Sequence, residues 1–173
     1  MNTSRPAARW LVAALLALVP LTAQPTSLPF GQLRAELTEV GVFEALGEGV
    51  LRPAPRTALG MMSLFEGFKL LFPATTLEAA KGATFGFRYQ ILGASDGLIE
   101  GLETRAEHPP IQVEGRPLST ESIVETYAFS NGGIAEGIVV YSLDEPSEIR
   151  PGRWTLELIR DGRVLVSQVF MLQ

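Results

Sequence analysis

The segment Gly93-Ala94-Ser95-Asp96-Gly97 matches the G-x-S-x-G pattern of a nucleophile elbow. In that elbow the serine stands on a sharp turn between a strand and a helix, and a histidine acts as its base. Here the residues after Gly97 have the pattern of a strand, and the only histidine, His108, is followed by two prolines. Because Gly, Ser and Asp are common turn formers, the motif favours a plain turn. A hydrolase that uses Ser95 is the alternative.

Metal and cofactor chemistry has little support in the residue types. A zinc site needs about four nitrogen, sulfur or oxygen ligands, whereas the chain has one histidine and no cysteine. No D-x-D-x-D-G calcium loop is present. The pair Gly47 and Gly49 lacks the third glycine of a dinucleotide-binding loop. We therefore expect no metal and no cofactor, and we expect His108 to end a strand and to bond to the backbone.

Carboxylates are the remaining candidates for chemistry. Most acidic residues are single and alternate with apolar residues, which is typical of a solvated sheet face. Glu125 and Glu136 differ, because they lie on a predicted hairpin and share the parity of large apolar residues. That conflict indicates an edge strand or a twisted strand with two apolar faces. A paired-carboxylate catalytic site is the alternative interpretation.

Composition limits the classes of function. The chain has 173 residues, of which 46% are hydrophobic and 19% charged, and its formal net charge is −5. This apolar content excludes a disordered chain, and the absence of cysteine excludes a disulfide-stapled mini-protein. With only two lysines in an acidic chain, no basic stripe is available for phosphates, and we expect no nucleic acid partner.

Residues 1–23 have the layout of a cleaved secretory signal peptide. Arg5 and Arg9 precede an apolar run from Leu11 to Val19, and Ala23 supplies a small residue at the expected cleavage site. Pro20 ends the run well before the roughly 20 apolar residues of a membrane span. We therefore expect an exported protein, periplasmic or extracellular, with a flexible lead-in at 24–32 and no stable membrane span after cleavage.

The elements that must position these residues are strands. From Leu33 the apolar residues alternate, and their phase flips near Thr38-Glu39, which predicts a β-bulge. Residues 44–57 contain two glycines and two prolines and are predicted to be a loop. Residues 58–72 fit both helical and strand spacing, and we favour a strand over 66–72. A helical turn is expected near Thr76–Ala80.

The second half has clearer strand signals. Strands are predicted around Phe85–Ile91 and from Leu98 to Arg105, the latter stopped by Pro109-Pro110. Hairpins are predicted around Asn131-Gly132-Gly133 and around Asp161-Gly162, a strong signal for a type I′ turn. The last strand is apolar on both faces, which places it inside a sheet. The pattern predicts an all-β fold, an antiparallel β-sandwich of about seven to eight strands formed by residues 33–173 as one domain.

Three stretches carry a resemblance to a known family: Thr76–Gly93, His108-Pro109-Pro110 and Glu148–Leu158. On these stretches the chain resembles an uncharacterised family of exported bacterial immunoglobulin-like domains, a domain of unknown function. Pro151-Gly152 and Trp154 also resemble the penultimate strand of immunoglobulin-like periplasmic modules, in which the tryptophan packs between the sheets. The resemblance implies the fold and the compartment, and it supplies no catalytic residue.

Fold, compartment and residue types together predict an exported, non-catalytic β-sandwich protein. Its partner is an unidentified protein, envelope component or small ligand, bound through loops or a sheet edge. The candidate binding loops are 44–57, 107–121 and 143–152. The alternative is a periplasmic hydrolase that uses Ser95 or a carboxylate pair.

Overall fold

Strands account for most of residues 33–173, the part of the chain that the computed structural model describes. In chain order the strands are β1 (Arg34–Leu46), β2 (Val50–Pro53), β3 (Met61–Leu64), β4 (Gly67–Phe72), β5 (Thr76–Leu77), β6 (Thr84–Leu92), β7 (Gly97–Ile111), β8 (Ser119–Asn131), β9 (Ile134–Ser142), β10 (Gly152–Arg160) and β11 (Arg163–Leu172). A 3-10 helix, Pro146–Glu148, precedes β10. The predicted signal peptide and lead-in, residues 1–32, lie outside the described residues.

Nine strands form one hydrogen-bonded sheet in the order β4-β1-β6-β9-β8-β7-β10-β11-β5, and β2 pairs with β3 as a separate hairpin. The large sheet folds on itself at the β8–β9 turn. We call β4-β1-β6-β9 the first leaf and β8-β7-β10-β11-β5 the second leaf. Every neighbouring pair is antiparallel except β5 with β11, which are parallel. Within residues 33–173, no helix combines the length and hydropathy needed to cross a membrane.

The core lies between the inner faces of the two leaves. Phe85 on β6 contacts Trp154 on β10, with ring centroids 5.6 Å apart, and Phe170 on β11, at 5.1 Å. All three side chains have no exposed surface. The indole N–H of Trp154 donates to the carbonyl of Arg150 at 3.0 Å, so the one polar atom of this ring is satisfied. The predicted sandwich and its central tryptophan are confirmed.

Two local predictions rest on backbone geometry, and both are confirmed. The ladder between β1 and β6 changes register between Leu37 and Glu39, where the apolar phase flips in the sequence. Asp161 and Gly162 form the β10–β11 turn with φ of 50° and 76°. Positive φ at both central residues is the requirement of a type I′ turn, which explains the Asp-Gly pair at this place.

Other predictions about elements were wrong or were confirmed only in part. Residues 44–57 are not one loop, because β1 continues to Leu46 and β2 occupies Val50–Pro53. The helical turn at Thr76–Ala80 is absent: Thr76 and Leu77 form β5, which pairs with Met171 and Leu172. The strand is confirmed over the favoured part of 58–72, since β4 spans Gly67–Phe72. The strands also number more than the expected seven to eight.

The two prolines do not stop β7, which continues to Ile111. The ladder with β10 ends at Glu107, and the ladder with β8 changes register between Glu107 and Ile111. Pro109 and Pro110 therefore lie where no ladder bond requires an N–H donor. The last strand, β11, is inside the sheet only at its end, because β5 covers just Met171 and Leu172.

Candidate functional site

The β8–β9 hairpin opens into a cleft. These strands pair only at Ser130 with Ala135 and at Asn131 with Ile134, directly beside the turn. Beyond those pairs β8 follows β7 in the second leaf, and β9 follows β6 in the first leaf. A cavity of about 760 Å³ lies between the separated strands and includes residues from both. A volume of this size suits a ligand of several hundred daltons.

One wall of the cleft is apolar and comes from the β2–β3 hairpin and β4. It consists of methionine, leucine and phenylalanine side chains: Leu51, Met61, Met62, Leu64, Phe65 and Phe68. Phe65 and Phe68 meet edge to face with centroids 5.7 Å apart. Leu51 is 65% exposed and Leu64 46%. Flexible methionines beside exposed apolar side chains form a surface that can adapt to an apolar ligand.

The loop between β2 and β3 is tied to the rest of the molecule by Arg116. Its Nε donates to the Ala58 carbonyl at 2.9 Å, and its Nη2 donates to the carbonyls of Thr57 and Pro55 at 2.9 and 3.1 Å. The Ile123 N–H of β8 donates to the Arg56 carbonyl at 3.0 Å. Because these bonds fix the base of the hairpin, the apolar wall keeps its place over the cleft.

A buried polar cluster lies behind the floor of the cleft and contributes Ser122 to its lining. The Nε2 atom of His108 lies 3.2 Å from Ser122 Oγ, and its Nδ1 lies 2.9 Å from the Pro109 carbonyl oxygen. A carbonyl can only accept, so Nδ1 carries the proton and Nε2 accepts from the serine. Ser122 Oγ in turn accepts from the Ala58 N–H at 3.0 Å. The cluster thereby joins β7, β8 and the β2–β3 loop.

Tyr141 and Glu148 complete the floor. The Tyr141 hydroxyl donates to Glu148 Oε1 at 2.8 Å, and the N–H groups of Asp144 and Glu145 donate to Glu148 Oε2 at 3.1 and 3.0 Å. Glu148 is only 3% exposed, yet both of its oxygens have donors. These bonds hold the 143–148 segment against the end of β9.

Burial shifts the acid–base properties of the floor. Burial lowers the pKa of His108, which keeps the ring neutral. It raises the pKa of Tyr141, and the neighbouring Glu148 carboxylate raises it further. Burial also raises the pKa of Glu148, against the opposing effect of its hydrogen bonds, and raises the pKa of Asp144. Tyr141 and His108 are therefore uncharged at neutral pH; Tyr141 lines the cleft, and His108 lies behind Ser122.

The charge of the cleft is acidic. Its lining includes Glu125, Asp144, Glu145 and Glu148 but only one basic residue, Arg105. Arg105 is neutralised by Glu157, whose Oε2 accepts from Nε at 2.8 Å and from Nη2 at 2.5 Å. Within residues 33–173, Asp144 and Glu145 form no ion pair. The end of the cleft next to the last residue of β9 is therefore acidic, and Lys81 is the cation whose charge favours the ionised form of Asp144.

The distance between Ser122 and His108 is that of a nucleophile and its base. Two features indicate that Ser122 and His108 have a structural role rather than a catalytic one. Ser122 is only 5% exposed, and its oxygen already accepts from Ala58. We missed Ser122, Tyr141 and Glu148 in the sequence because their proximity depends on the separation of β8 and β9. The expected bond of His108 to the backbone is present, but the residue lies within β7 rather than at its end.

Ser95 lies in the exposed loop between β6 and β7, and a strand, not a helix, follows it. Its neighbour Asp96 accepts from the Gly133 N–H at 3.1 Å, which joins this loop to the β8–β9 turn. The histidine that would be its base is bonded to Ser122. The segment therefore lacks the strand–helix setting of a nucleophile elbow and has the role of a turn.

Glu125 and Glu136 are not partners. Glu125 faces Glu103 across the β7–β8 ladder, where Arg56 lies 2.6 Å from Glu103 Oε1. Glu136 accepts from Gln90 Nε2 at 2.8 Å. The parity conflict in β8 arises because Tyr127 and Phe129, 72% and 68% exposed, share one exposed face of the strand with Glu125. Among the described residues, no three histidine or acidic side chains are grouped to hold a metal ion.

The three candidate binding loops contribute unequally. The 44–57 region includes β2 of the apolar wall, and the 143–152 region supplies Asp144, Glu145 and Glu148. The 107–121 region acts indirectly, through Arg116 and His108. The cleft thus lies between segments that the sequence presents as separate loops.

A family model described as "Domain of unknown function (DUF3859)" matches residues 34–172. A crystal structure of an immunoglobulin-like protein from Pseudomonas aeruginosa is similar in fold, with a TM-score of 0.59 and 20% sequence identity over 84% of this chain and 99% of that chain. The expected family resemblance and the immunoglobulin-like all-β class are thereby confirmed. None of the curated proteins matches the chain.

A second solved structure is the alkylpurine DNA glycosylase AlkC of Pseudomonas fluorescens, bound to DNA containing an abasic site analog. It has 10% sequence identity and a TM-score of 0.40, and the match covers 57% of this chain and 28% of that one. A likeness at this level carries no argument about fold or function.

Proposed function

The chain belongs to the DUF3859 family, a domain of unknown function, and we propose that it is an exported, non-catalytic binding module. Its cleft between β8 and β9 receives an elongated apolar ligand that carries a positive charge. The cleft supports this proposal because it combines an apolar wall with an acidic end, where Asp144 and Glu145 form no ion pair among the described residues and Lys81 acts on Asp144 only from beyond ion-pair distance.

The chemistry of the cleft favours binding over catalysis. Its polar floor is already hydrogen-bonded within the protein, so Ser122, His108 and Glu148 are occupied rather than available for a reaction. Its apolar wall, in contrast, leaves side chains exposed to solvent. Covering such surface contributes about 25 cal/mol for each Å² removed from water. An apolar ligand would gain that free energy, and the cation would be held by Asp144 and Glu145.

Methionine methyl groups provide the test of the cleft. Met61 belongs to the apolar wall, whereas Met171 lies on β11 and outside the cavity. The probes are octylammonium and octanoate, which share an apolar chain and differ in charge. We expect octylammonium to shift the methyl resonance of Met61 and to leave that of Met171 unchanged. Octanoate should bind at least tenfold more weakly because of the acidic end.

Two variants test separately whether the acidic end determines the charge preference and whether the cleft is catalytic. Asp144→Asn combined with Glu145→Gln should remove the preference for octylammonium while both probes still enter the cleft. Ser122→Ala should leave any esterase activity of the preparation unchanged. Equal shifts at both methionines, or no shift with either probe, would contradict the proposed site. If an esterase activity disappears in Ser122→Ala, the cleft is a catalytic site and the proposed binding role is wrong.

The compartment is tested on the full chain produced in a bacterium. Arg5, Arg9 and the apolar run that follows are the basis of the proposed export. We expect the protein in the periplasmic or extracellular fraction, with a mass that corresponds to cleavage after Ala23. Full-length protein confined to the cytosol would contradict the proposed export.

A further inference from the structure

The two strands that border the cleft differ from an ordinary hairpin in the use of their backbone groups. A two-residue turn normally continues into a ladder along both strands. Here the ladder stops after Ser130 with Ala135, although β9 extends to Ser142. One edge of β9 therefore faces the cleft without a strand beside it among the described residues.

The residues of β9 that face this edge can be identified. The Gly133 carbonyl accepts from Gly93, and the Leu143 N–H donates to the Ala83 carbonyl, both on the β6 side. The β6–β9 ladder between these points has no register shift. Because successive residues direct their backbone groups to opposite edges, odd-numbered residues bond to β6. The backbone groups on the unpaired edge belong to Glu136, Ile138, Val140 and Ser142, and the last three of these residues line the cleft.

We propose that this edge of β9 accepts an extended polypeptide segment of another protein as an added antiparallel strand, an inference that rests on the proposed function of the cleft. Residues 136–142 offer an edge about 23 Å long, at roughly 3.3 Å per residue. That length matches a segment of about seven residues. Main-chain bonds to an exposed edge are a known mode of peptide recognition.

Side chains on β9 indicate the composition of the segment. Ile138 and Val140 lie on one face of the strand, Val139 and Tyr141 lie on the other, and all four line the cleft. An added strand would place its side chains beside these residues, so apolar residues are favoured on both faces.

Charge sets the order of residues within the antiparallel segment. Asp144 and Glu145 follow the end of β9 and have no ion pair among the described residues. An antiparallel segment has its amino-terminal residues at that end. The ligand is therefore a segment with lysine or arginine first and apolar residues after it, because the opposite charges attract.

The probe is an acetylated, amidated octapeptide in which two lysines are followed by alternating valine and isoleucine, so that apolar residues lie on both faces. The readout is amide hydrogen exchange, residue by residue, on the full chain after any processing. On peptide binding, we expect the amides of Ile138 and Val140 to exchange at least tenfold more slowly. The amides of Val139 and Tyr141 already bond to β6 and should change by less than twofold.

Two modified peptides test the backbone bonds without altering the protein. Each carries N-methyl groups on one alternate set of amides, either those of the valines or those of the isoleucines, so the two differ only in which edge of the peptide is blocked. We expect one to bind at least tenfold more weakly than the parent and the other to stay within threefold. Equal behaviour of the two peptides would overturn the proposal. A third peptide, with glutamates in place of the lysines, should bind at least tenfold more weakly, and this difference should shrink at high salt.

The remaining outcomes separate this inference from the function on which it rests. If octylammonium shifts Met61 but the peptide protects no alternate amides, strand addition is wrong and the binding cleft stands. If neither probe binds, both proposals fail. If the amides of Ile138 and Val140 are already protected in the free protein and sedimentation shows a dimer, a second copy of the chain occupies the edge, which overturns the proposal.

Discussion

Replacement of Trp154 by alanine tests the packing of the two leaves. The ring has no exposed surface, and it contacts Phe85 in the first leaf at 5.6 Å and Tyr141 at 4.8 Å between centroids. Its N–H also satisfies the Arg150 carbonyl. The substitution therefore removes contacts between the leaves, a hydrogen bond and a large buried volume at the same time.

The expected loss in the free energy of unfolding is about 3–5 kcal/mol, the usual range for a buried tryptophan changed to alanine. About 1 kcal/mol of this belongs to the hydrogen bond. With a urea slope near 2 kcal/mol per molar, the midpoint of unfolding should fall by roughly 2 M. The Trp154→Phe variant keeps an aromatic ring and loses the N–H, so its loss should be about 1–2 kcal/mol.

The assay is urea unfolding followed by far-ultraviolet circular dichroism, which does not depend on tryptophan fluorescence. Phe129→Ala is the matched control, because this aromatic ring on β8 is 68% exposed. Its midpoint should change by less than about 0.3 M, as expected for a surface substitution. A loss below about 1 kcal/mol for Trp154→Ala, or equal losses for the two alanine variants, would refute the packing of β10 against the first leaf.

Three further predictions concern other parts of the fold. Gly162→Val should destabilise the protein by about 1–2 kcal/mol, because a β-branched residue resists the positive φ of this turn, whereas Gly162→Asn should be nearly neutral in the same unfolding assay. Gly86→Ala should cost about 3 kcal/mol, since the added methyl group would overlap the Val139 carbonyl oxygen, and an unchanged melting temperature would contradict the close approach of β6 and β9. The lowered pKa of His108 means that the unfolded state binds the proton more readily, so unfolding free energy should decrease as pH falls below about 6.5 toward the folded pKa. The raised pKa of Glu148 acts in the opposite direction, with stability decreasing as pH rises from about 4.5, and comparison with His108→Gln isolates the histidine contribution.

Local backbone requirements were predictable from sequence. The bulge near Glu39 follows from a flip in apolar phase, and the turn at Gly162 follows from a residue pair suited to positive φ. In both cases the signal lies within a few residues, and no distant contact is needed to interpret it.

Predictions were wrong where distant contacts decide the conformation. The Thr76–Ala80 stretch contains good helix formers, yet the end of β11 recruits Thr76 and Leu77 as a parallel strand. Pro109 was expected to end its strand. The ladder with β10 ends before this residue and the ladder with β8 changes register around it, so no ladder hydrogen bond requires an N–H donor at Pro109. The intrinsic secondary-structure propensity of a segment contains no information about a strand that pairs with it from a distant part of the chain.

The cleft was not predictable for the same reason. The sequence indicates a hairpin at Gly132 and Gly133, and it gives no sign that the strands separate after two pairs. The strands separate because β9 pairs with β6 in the first leaf, whereas β8 pairs with β7 in the second leaf. The acidic end could have been suspected from Glu145 and Glu148, which flank a proline in the manner of a helix start, but not its position beside β9.

The connection between β6 and β9 has a consequence for the order of folding. These strands pair with each other although the whole β7–β8 hairpin lies between them in the chain. Once that hairpin has formed, it brings Gly93 and Gly133 to hydrogen-bond distance, 3.1 Å in the native structure, and the entropy of closing a long loop has already been lost. The β7–β8 hairpin should therefore form before the β6–β9 ladder, which joins the two segments on either side of that hairpin.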